Sequence, residues 1–285
     1  MKSQKLKMSF DPHTIEHLGI KMYSVLPNAI AELIANAYDA EARTVHVKLY
    51  NDNGNKRIAV IDDGVGMSFD EINNNFLRIG RKRRTDDDGL SPNGIRKVTG
   101  RKGLGKLAFF GIGDTIRITT CQNGQCVKFT LSWPELMSTN SQEYEPKFSI
   151  YKCDTKQNGT IIELDDLKRK SDFDKDGLAI SLSKLFNFFD DTFKVYISYN
   201  EEGELLINNE LKYQNLSPQI IWVFPNEDVK NEYLENHNVI GRILATEKPL
   251  KPGLRGITLF AHGRLVNAPE FFGVGESSHG YSYLT

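Results

Sequence analysis

Between Leu26 and Ala42 the apolar residues Ile30, Leu33, Ile34 and Ala37 recur at helical spacing, and Pro27 suits the first turn, where a missing N–H leaves nothing unpaired. The spacing predicts a helix over 26–42. Two strand-like runs follow, Thr44–Tyr50 and Arg57–Ile61, joined by the turn sequence Asn51-Asp52-Asn53-Gly54-Asn55. Further on, Thr115–Thr120, Cys126–Trp133 and Lys147–Lys152 read as strands, and Thr160–Leu164 as another after the turn Gln157-Asn158-Gly159. Ser171 to Phe189 is predicted as a connecting helix, with Phe186, Phe188 and Phe189 packed in a core at a domain junction. Strands are then expected at Val195–Tyr199, after a turn at Glu201–Gly203 around Ile220–Val223 and Val239–Leu244, and at Gly256–Phe260. No internal repeat interrupts this order. A domain boundary is expected near 168–172, in the charged stretch Lys168-Arg169-Lys170. Ser277 to Thr285 carry no terminating signal, so the second domain is expected to be cut short.

Composition changes this picture little. A chain of 285 residues with 39% hydrophobic and 26% charged residues is long enough for two compact domains of an ordinary globular protein. The net charge of −1 gives no global attraction to nucleic acid or to an anionic membrane. No apolar run approaches the roughly 20 residues that span a bilayer, and the basic N-terminus lacks the apolar stretch of a secretory signal. Cys121, Cys126 and Cys153 are an odd number without metal-ligand spacing; they read as reduced thiols of a cytoplasmic protein.

Three segments carry candidate chemistry. Glu32 and Asn36 lie four apart on one face of the first helix, with Asp39 near the same stripe. A carboxylate and a carboxamide on an otherwise apolar helix need partners, or they form the solvated stripe of an amphipathic helix. Next, Ile61-Asp62-Asp63-Gly64-Val65-Gly66-Met67 ends a strand in an acid and then sets two glycines at alternate positions. Such glycines permit a sharp turn and close approach of a ligand, and a strand-end carboxylate can accept a hydrogen bond from an exocyclic amino group such as that of adenine. The alternative is an ordinary Asp-Gly turn. Third, Gly100-Arg101-Lys102-Gly103-Leu104-Gly105-Lys106 precedes the apolar Leu107-Ala108-Phe109-Phe110, and glycines with a basic residue before a helix suit phosphate; a merely flexible loop has the same composition. It sits within a Gly- and charge-rich stretch, Gly80 to Gly113, long enough to imply a function. A true P-loop is excluded: Leu107 replaces the hydroxyl that holds magnesium, and Arg96-Lys97-Val98-Thr99 makes a poor buried strand.

Taken in order, these segments resemble the ATP-binding elements of the GHKL superfamily of gyrase B, Hsp90, histidine kinases and MutL. Glu32-Leu33-Ile34-Ala35-Asn36-Ala37-Tyr38-Asp39-Ala40 is similar to its N-box, Asp62 to Met67 to its first glycine box, Gly103-Leu104-Gly105-Lys106 to the second, and Gly159-Thr160 to the Gly-Thr of its last nucleotide-contacting strand. The resemblance covers residues 10–165, with a weaker echo of the transducer domain after 170. It implies an α/β (α+β) Bergerat-type two-layer sandwich over 1–168, with helices on one face of a mixed sheet, and a smaller, incomplete S5-like transducer over 172–285. It also implies Mg²⁺-dependent ATP hydrolysis. Glu32 is then the general base, Asn36 the magnesium ligand, and Asp62 the acceptor for the adenine amino group, supported by Thr160. Ala40, Gly64, Gly66 and Met67 line the base pocket, Gly103, Leu104, Gly105 and Lys106 cap the phosphates, and Asn75 lies near the nucleotide.

Phe76-Leu77-Arg78-Ile79-Gly80 before the lid and Gly103 to Lys106 closing it look closest to MORC-like and Hsp90-like members. Gly256 to Val266 resembles a transducer strand-turn-strand, with Lys248 and Lys251 as candidates to reach the γ-phosphate. The resemblance implies an ATP-dependent homodimer, in a DNA-processing or anti-phage context with any DNA contact through regions outside this chain, and no membrane. Two alternatives stay open: a nucleotide-gated binding module with negligible hydrolysis, and the ATPase part of a restriction-like DNA enzyme. The zinc-type pattern His13-Thr14-Ile15-Glu16-His17 lacks a third ligand and is set aside as chance. Arg81-Lys82-Arg83-Arg84, beside Asp86-Asp87-Asp88, reads as a solvated lid.

Overall fold

The computed structural model describes residues 5–9, 25–78, 89–99, 109–138, 143–225, 231–273 and 279–285. Its chain divides into two units, Met1–Leu211 and Lys212–Thr285. In the first, β1 (Met8–Ser9) pairs with β6 (Glu143–Tyr144). The main sheet has eight strands: β2 (Thr44–Asp52), β3 (Asn55–Asp62), β4 (Gly113–Gln122), β5 (Gln125–Ser132), β7 (Phe148–Lys152), β8 (Gly159–Leu167), β9 (Lys194–Tyr199) and β10 (Leu205–Ile207). Their order is β10-β9-β2-β3-β8-β4-β5-β7. Every neighbouring pair is antiparallel except β2 with β9. The sheet is therefore mixed, as expected.

Helices α1 (Leu26–Asp39) and α4 (Lys175–Leu185) pack against each other. Their buried residues join one core with the alternate strand residues Val45, Val47, Leu49, Ile58, Val60, Ile116 and Ile118. Period-2 alternation puts these residues on one face, and each fully buried Val, Leu or Ile contributes about 1.5–3 kcal/mol. The other face carries an ion ladder, Arg57 to Glu163 at 3.3 Å, Arg117 to Glu163 at 3.6 Å and Arg117 to Asp165 at 2.7 Å. One apolar and one charged face make a two-layer α/β sandwich.

Four boundaries differ from expectation for local reasons. Helix α1 stops at Asp39 because Ala40 caps it and Glu41 turns to φ 60. The connecting helix spans only Lys175–Leu185: the Asp174 carboxylate caps its start by accepting from Gly177 N, and Phe186 is extended. Strand β5 ends at Ser132, where Trp133-Pro134 opens the short α3 (Trp133–Ser138). Between Gly256 and Phe260 only an isolated bridge, Ile257 to Glu270, forms before β13 (Phe260–Ala261) pairs with β14 (Arg264–Leu265). The boundary expected near 168–172 falls inside the first unit, because α4 packs on α1 and β9 lies beside β2 in the main sheet.

The cysteines require a correction. The β4–β5 hairpin sets Cys121 directly opposite Cys126, and the two are joined as a disulfide rather than held as reduced thiols; Cys153 is free. The tight turn at Asn123-Gly124, both at positive φ, closes the five-residue separation and creates the pairing.

The second unit contains an antiparallel ribbon, β11 (Pro218–Phe224) with β12 (Gly241–Thr246), the small helix α5 (Glu232–Asn236) and the β13–β14 hairpin. Lys212 is buried there, its ammonium 4.7 Å from the Phe260 ring centre. Among the described residues no helix is long and apolar enough to cross a membrane.

An aromatic knot secures the end of α1. Tyr38 stacks on Phe188 at 4.2 Å and meets Phe193 edge-on at 5.2 Å, while Phe186, Phe188 and Phe189 interlock beneath. These phenylalanines are core packing, within the first unit. Phe193→Ala, at a fully buried position, is expected to destabilise the first unit by about 3–5 kcal/mol, measured by urea unfolding.

Candidate functional site

The site is built where three strands of the sheet end together. Strand β8 lies between β3 and β4, and its Thr160 is in register with Asp62 on one side and Thr120 on the other. All three have the parity of the inward residues, so they form a row on the helix side of the sheet. Asp62 Oδ1 accepts from Gly64 N at 2.9 Å. Thr120 Oγ1 accepts from Met67 N at 2.9 Å and lies 3.1 Å from Thr160 Oγ1. Thr120 is fully buried and Thr160 nearly so.

The segment 63–67 crosses over this row, and its glycines have no substitutes. Gly66 sits at φ +69, and a Cβ there would lie 1.9 Å from the Cys121 carbonyl oxygen. On Gly64 a Cβ would meet the Ala40 carbonyl oxygen at 2.7 Å, and on Gly159 the Asp62 carbonyl oxygen at 2.1 Å. Val65 N donates to Ala40 O at 2.9 Å, fixing the segment to the end of α1. Asp63, by contrast, is structural: its carboxylate accepts from Arg43 N at 2.7 Å and Thr44 N at 2.8 Å, anchoring the start of β2.

Helix α1 is not an ordinary amphipathic surface helix. Ala29, Ile30, Ala31, Leu33, Ile34, Ala35, Ala37 and Asp39 are all buried, which covers most of its circumference. Asn28, Glu32, Asn36 and Ala40 keep contact with solvent, and their spacing of four makes them a single narrow rail. The rail ends at Ala40, against the Gly64 turn. A solvated helix would expose a broad face; here the acid Glu32 and the amide Asn36 are half-buried on a stripe whose end, Ala40, meets the Gly64 turn. Asn75, half-buried, lies in a wide turn of π type that Leu77 N closes on Ile72 O at 2.7 Å, a geometry frequent at functional sites.

Burial pushes the Asp62 carboxyl up from an ordinary 3.8 to about 6, with the Asp63 charge adding to the rise, although hydrogen bonds from Gly64 N and Thr160 N oppose it. Its side chain touches solvent, yet protein atoms crowd it, and the crowding sets the direction.

The sequence reading did not single out the clasp between the end of α1 and residues 89–99. The buried Asp39 carboxylate accepts from Thr99 N at 2.8 Å and Thr99 Oγ1 at 3.0 Å. The Glu41 carboxylate accepts from Ser91 Oγ at 2.6 Å, Asn93 N at 2.7 Å and Asn93 Nδ2 at 2.6 Å. Burial raises the Glu41 pKa, but these bonds outweigh it and the net shift is downward. The Arg96 guanidinium donates to Tyr38 O at 3.0 Å, Ala42 O at 2.8 Å and Thr192 O at 3.0 Å, and lies over the Tyr38 ring. Thr120 was also missed, although its inward parity in a strand of Ile116 and Ile118 marks it as a buried hydroxyl needing a partner. Gly103, Leu104, Gly105 and Lys106, the charge run 81–88 and the histidine pattern 13–17 lie outside the described residues.

Together the mixed sheet, the helix layer and the acid-glycine turn define the α/β sandwich of the GHKL ATPases. Residues 23–160 match the family described as histidine kinase-, DNA gyrase B-, and HSP90-like ATPase, and over that segment the chain is similar to its members. A Herpetosiphon aurantiacus protein named as type II restriction enzyme HgiDII is 29% identical over 235 residues, 81% of this chain and 37% of its own length. The chaperone protein HtpG of Chromobacterium violaceum is 21% identical over 81% of this chain and 39% of its own. ATPase morc-1 of Caenorhabditis elegans is 46% identical over a 44-residue stretch, 15% of this chain and 5% of its own. The chain thus spans about two fifths of the length of the first two relatives.

Two outcomes are expected. The folded state holds a proton on Asp62 more tightly than the unfolded chain, so ionising Asp62 costs stability as pH rises from about 4 toward about 6. In urea unfolding across pH, Asp62→Asn should gain on the wild type through that window and hold a constant advantage above it; a gap independent of pH would contradict the assigned cause. Thr120→Val leaves Met67 N without its partner and should cost about 1–3 kcal/mol by the same measurement, whereas Thr115→Val, at the opposite end of β4, should cost less.

Proposed function

We propose that this chain binds and hydrolyses ATP with Mg²⁺, with the adenine over the Asp62–Thr160–Thr120 row and the triphosphate along the rail of α1. The observation that carries the reading is the continuity of that rail with the strand-end acid: Glu32, Asn36 and Ala40 lead to Gly64, whose N–H is bonded to Asp62. Asp62 accepts from the exocyclic amino group, and Thr160 orders the water between. Gly64, Gly66 and Met67 form the floor of the base pocket, and Asn75 lines its side. The half-exposed Asn36 oxygen suits a hard cation that keeps several waters; Mg²⁺ held by Asn36 and phosphate oxygens supplies charge neutralisation. Glu32, one turn earlier on the rail, is placed to take a proton from the attacking water. Phosphoryl transfer asks mainly for such positioning and electrostatics. Gly103, Leu104, Gly105 and Lys106 are assigned to the phosphates on motif alone.

Closure of the Gly-rich segment over the nucleotide, and dimerisation in the closed state, are assigned on the family resemblance alone. The C-terminal part of the chain is assigned the transducer role. The identity of 29% to a protein named as a restriction enzyme, against 21% to the chaperone HtpG over the same 81% of the chain, favours a DNA-processing context over a chaperone context. Duplex DNA added to the natural protein should then raise its turnover of ATP.

Glu32→Ala should bind Mg·ATP within a few-fold of wild type by calorimetry and lose about 10²–10⁴ in turnover, the usual worth of a general base. Asp62→Asn should lose about 10–100-fold in ATP affinity, as expected for a hydrogen bond to a charged group worth about 1.5–3 kcal/mol. Unchanged turnover in the first, or unchanged affinity in the second, would remove that residue from its role.

A further inference from the structure

Across the end of the main sheet three sulfur atoms converge. Cys121 on β4 faces Cys126 on β5, and Cys126 faces Tyr151 on β7, two residues before Cys153. By strand parity Cys121 and Cys126 project from the face opposite the helices, and Cys153 directly follows the end of β7. Their Sγ atoms lie within 4.8 Å of one another. Cys126 is fully buried and Cys121 is 6% exposed, whereas Cys153 is partly open to solvent. Cys153 N donates to Gly124 O at 3.0 Å, which seats the chain after β7 on the tip of the β4–β5 hairpin.

We propose that Cys153 is the entry thiol of a three-cysteine exchange site, through which a small-molecule disulfide makes and breaks the buried Cys121–Cys126 bond. Thiol–disulfide exchange needs a thiolate to reach a sulfur from outside. The buried pair offers no such approach, and the half-exposed Cys153 beside it does. In the oxidising direction the deprotonated Cys153 attacks the external disulfide, forming a mixed disulfide and releasing one small thiolate, which takes up a proton. Cys126, deprotonated, attacks the Cys153 sulfur and expels the second small thiolate, leaving a Cys126–Cys153 bond. Cys121, deprotonated, then attacks Cys126 and frees Cys153 as a thiolate. Two protein thiols are oxidised, one external disulfide is reduced to two thiols, and Cys153 is regenerated. Reduction by a small thiol runs the same steps backward. The inference does not rest on the nucleotide reading, but its location matters to that site: Cys121 adjoins Thr120, and its carbonyl oxygen is the atom that bars a side chain at Gly66.

The test begins with the reduced, folded chain and oxidised glutathione, quenched with N-ethylmaleimide and mapped by mass spectrometry. The wild type should end with the Cys121–Cys126 link after a transient glutathione adduct on Cys153. Cys153→Ser and Cys153→Ala should reach the same link at least about tenfold more slowly, because exchange rate follows access of the attacking thiol. A check without substitution uses wild-type protein with the pair closed and Cys153 capped by iodoacetamide; its reduction by glutathione should slow to a similar degree. Equal rates with and without the Cys153 thiol, a first adduct on Cys121 or Cys126, or no Cys121–Cys126 link in the wild type would each overturn the proposal.

Discussion

The contact between Gly66 and the Cys121 carbonyl sets the geometry of everything around it. With no side chain at 66, the segment leaving β3 lies directly on the end of β4, close enough for Met67 N to reach the Thr120 hydroxyl. The same fold-over brings Gly64 against Ala40 and Val65 N onto its carbonyl. One close approach therefore joins the end of β4, the acid-glycine turn and the helix end, and any Cβ at 66 would part all three. The glycine is used here for clearance as much as for its positive φ.

Asp62 shows what this packing costs. A carboxylate at a strand end could be solvated, but this one is covered until its pKa rises to about 6. Folding would be easier with an asparagine, which is uncharged and still offers an oxygen to Gly64 N. Keeping the acid makes the fold less stable than it could be, a cost that the proposed role of Asp62 as a ligand acceptor would explain. The glycine turn and the acid thus act in opposite directions: the turn fixes the fold, and the buried acid strains it.

Much of this was legible in the sequence, and the reasons differ by element. Strands β2 and β3 and the turn between them follow from alternation and the Asn-Gly signal, and two glycines at alternate positions after a strand end permit the close approach found at Gly66, though an ordinary Asp-Gly turn has the same local pattern. The helix was readable, but its narrow rail was not: whether Glu32 and Asn36 face a groove or open solvent depends on what covers Ala31 and Ala35, and that is tertiary. The parallel pairing of β9 with β2 joins residues 150 apart in sequence by the register of Thr44 with Lys194, and no local pattern marks so distant a partner. The cysteines were misread for the same reason. Their spacing of five meant little until the hairpin register placed Cys121 opposite Cys126.

The clasp on α1 adds a constraint that none of its residues announces singly. Asp39, Glu41 and Arg96 are charged, and charged residues near a helix end are usually solvated. Here each bonds across between the helix end and residues 89–99, and Asp39 does so while buried. The bonds are to backbone N–H and C=O groups as much as to side chains, so they fix the path of the chain and not merely its surface. Residues 89–99 are consequently held to the same helix terminus that supports the Gly64 turn. The acid-glycine turn and the approach to the Gly-rich segment share one foundation, and a shift of either must be carried through the last turn of α1, where the aromatic knot of Tyr38, Phe188 and Phe193 resists it.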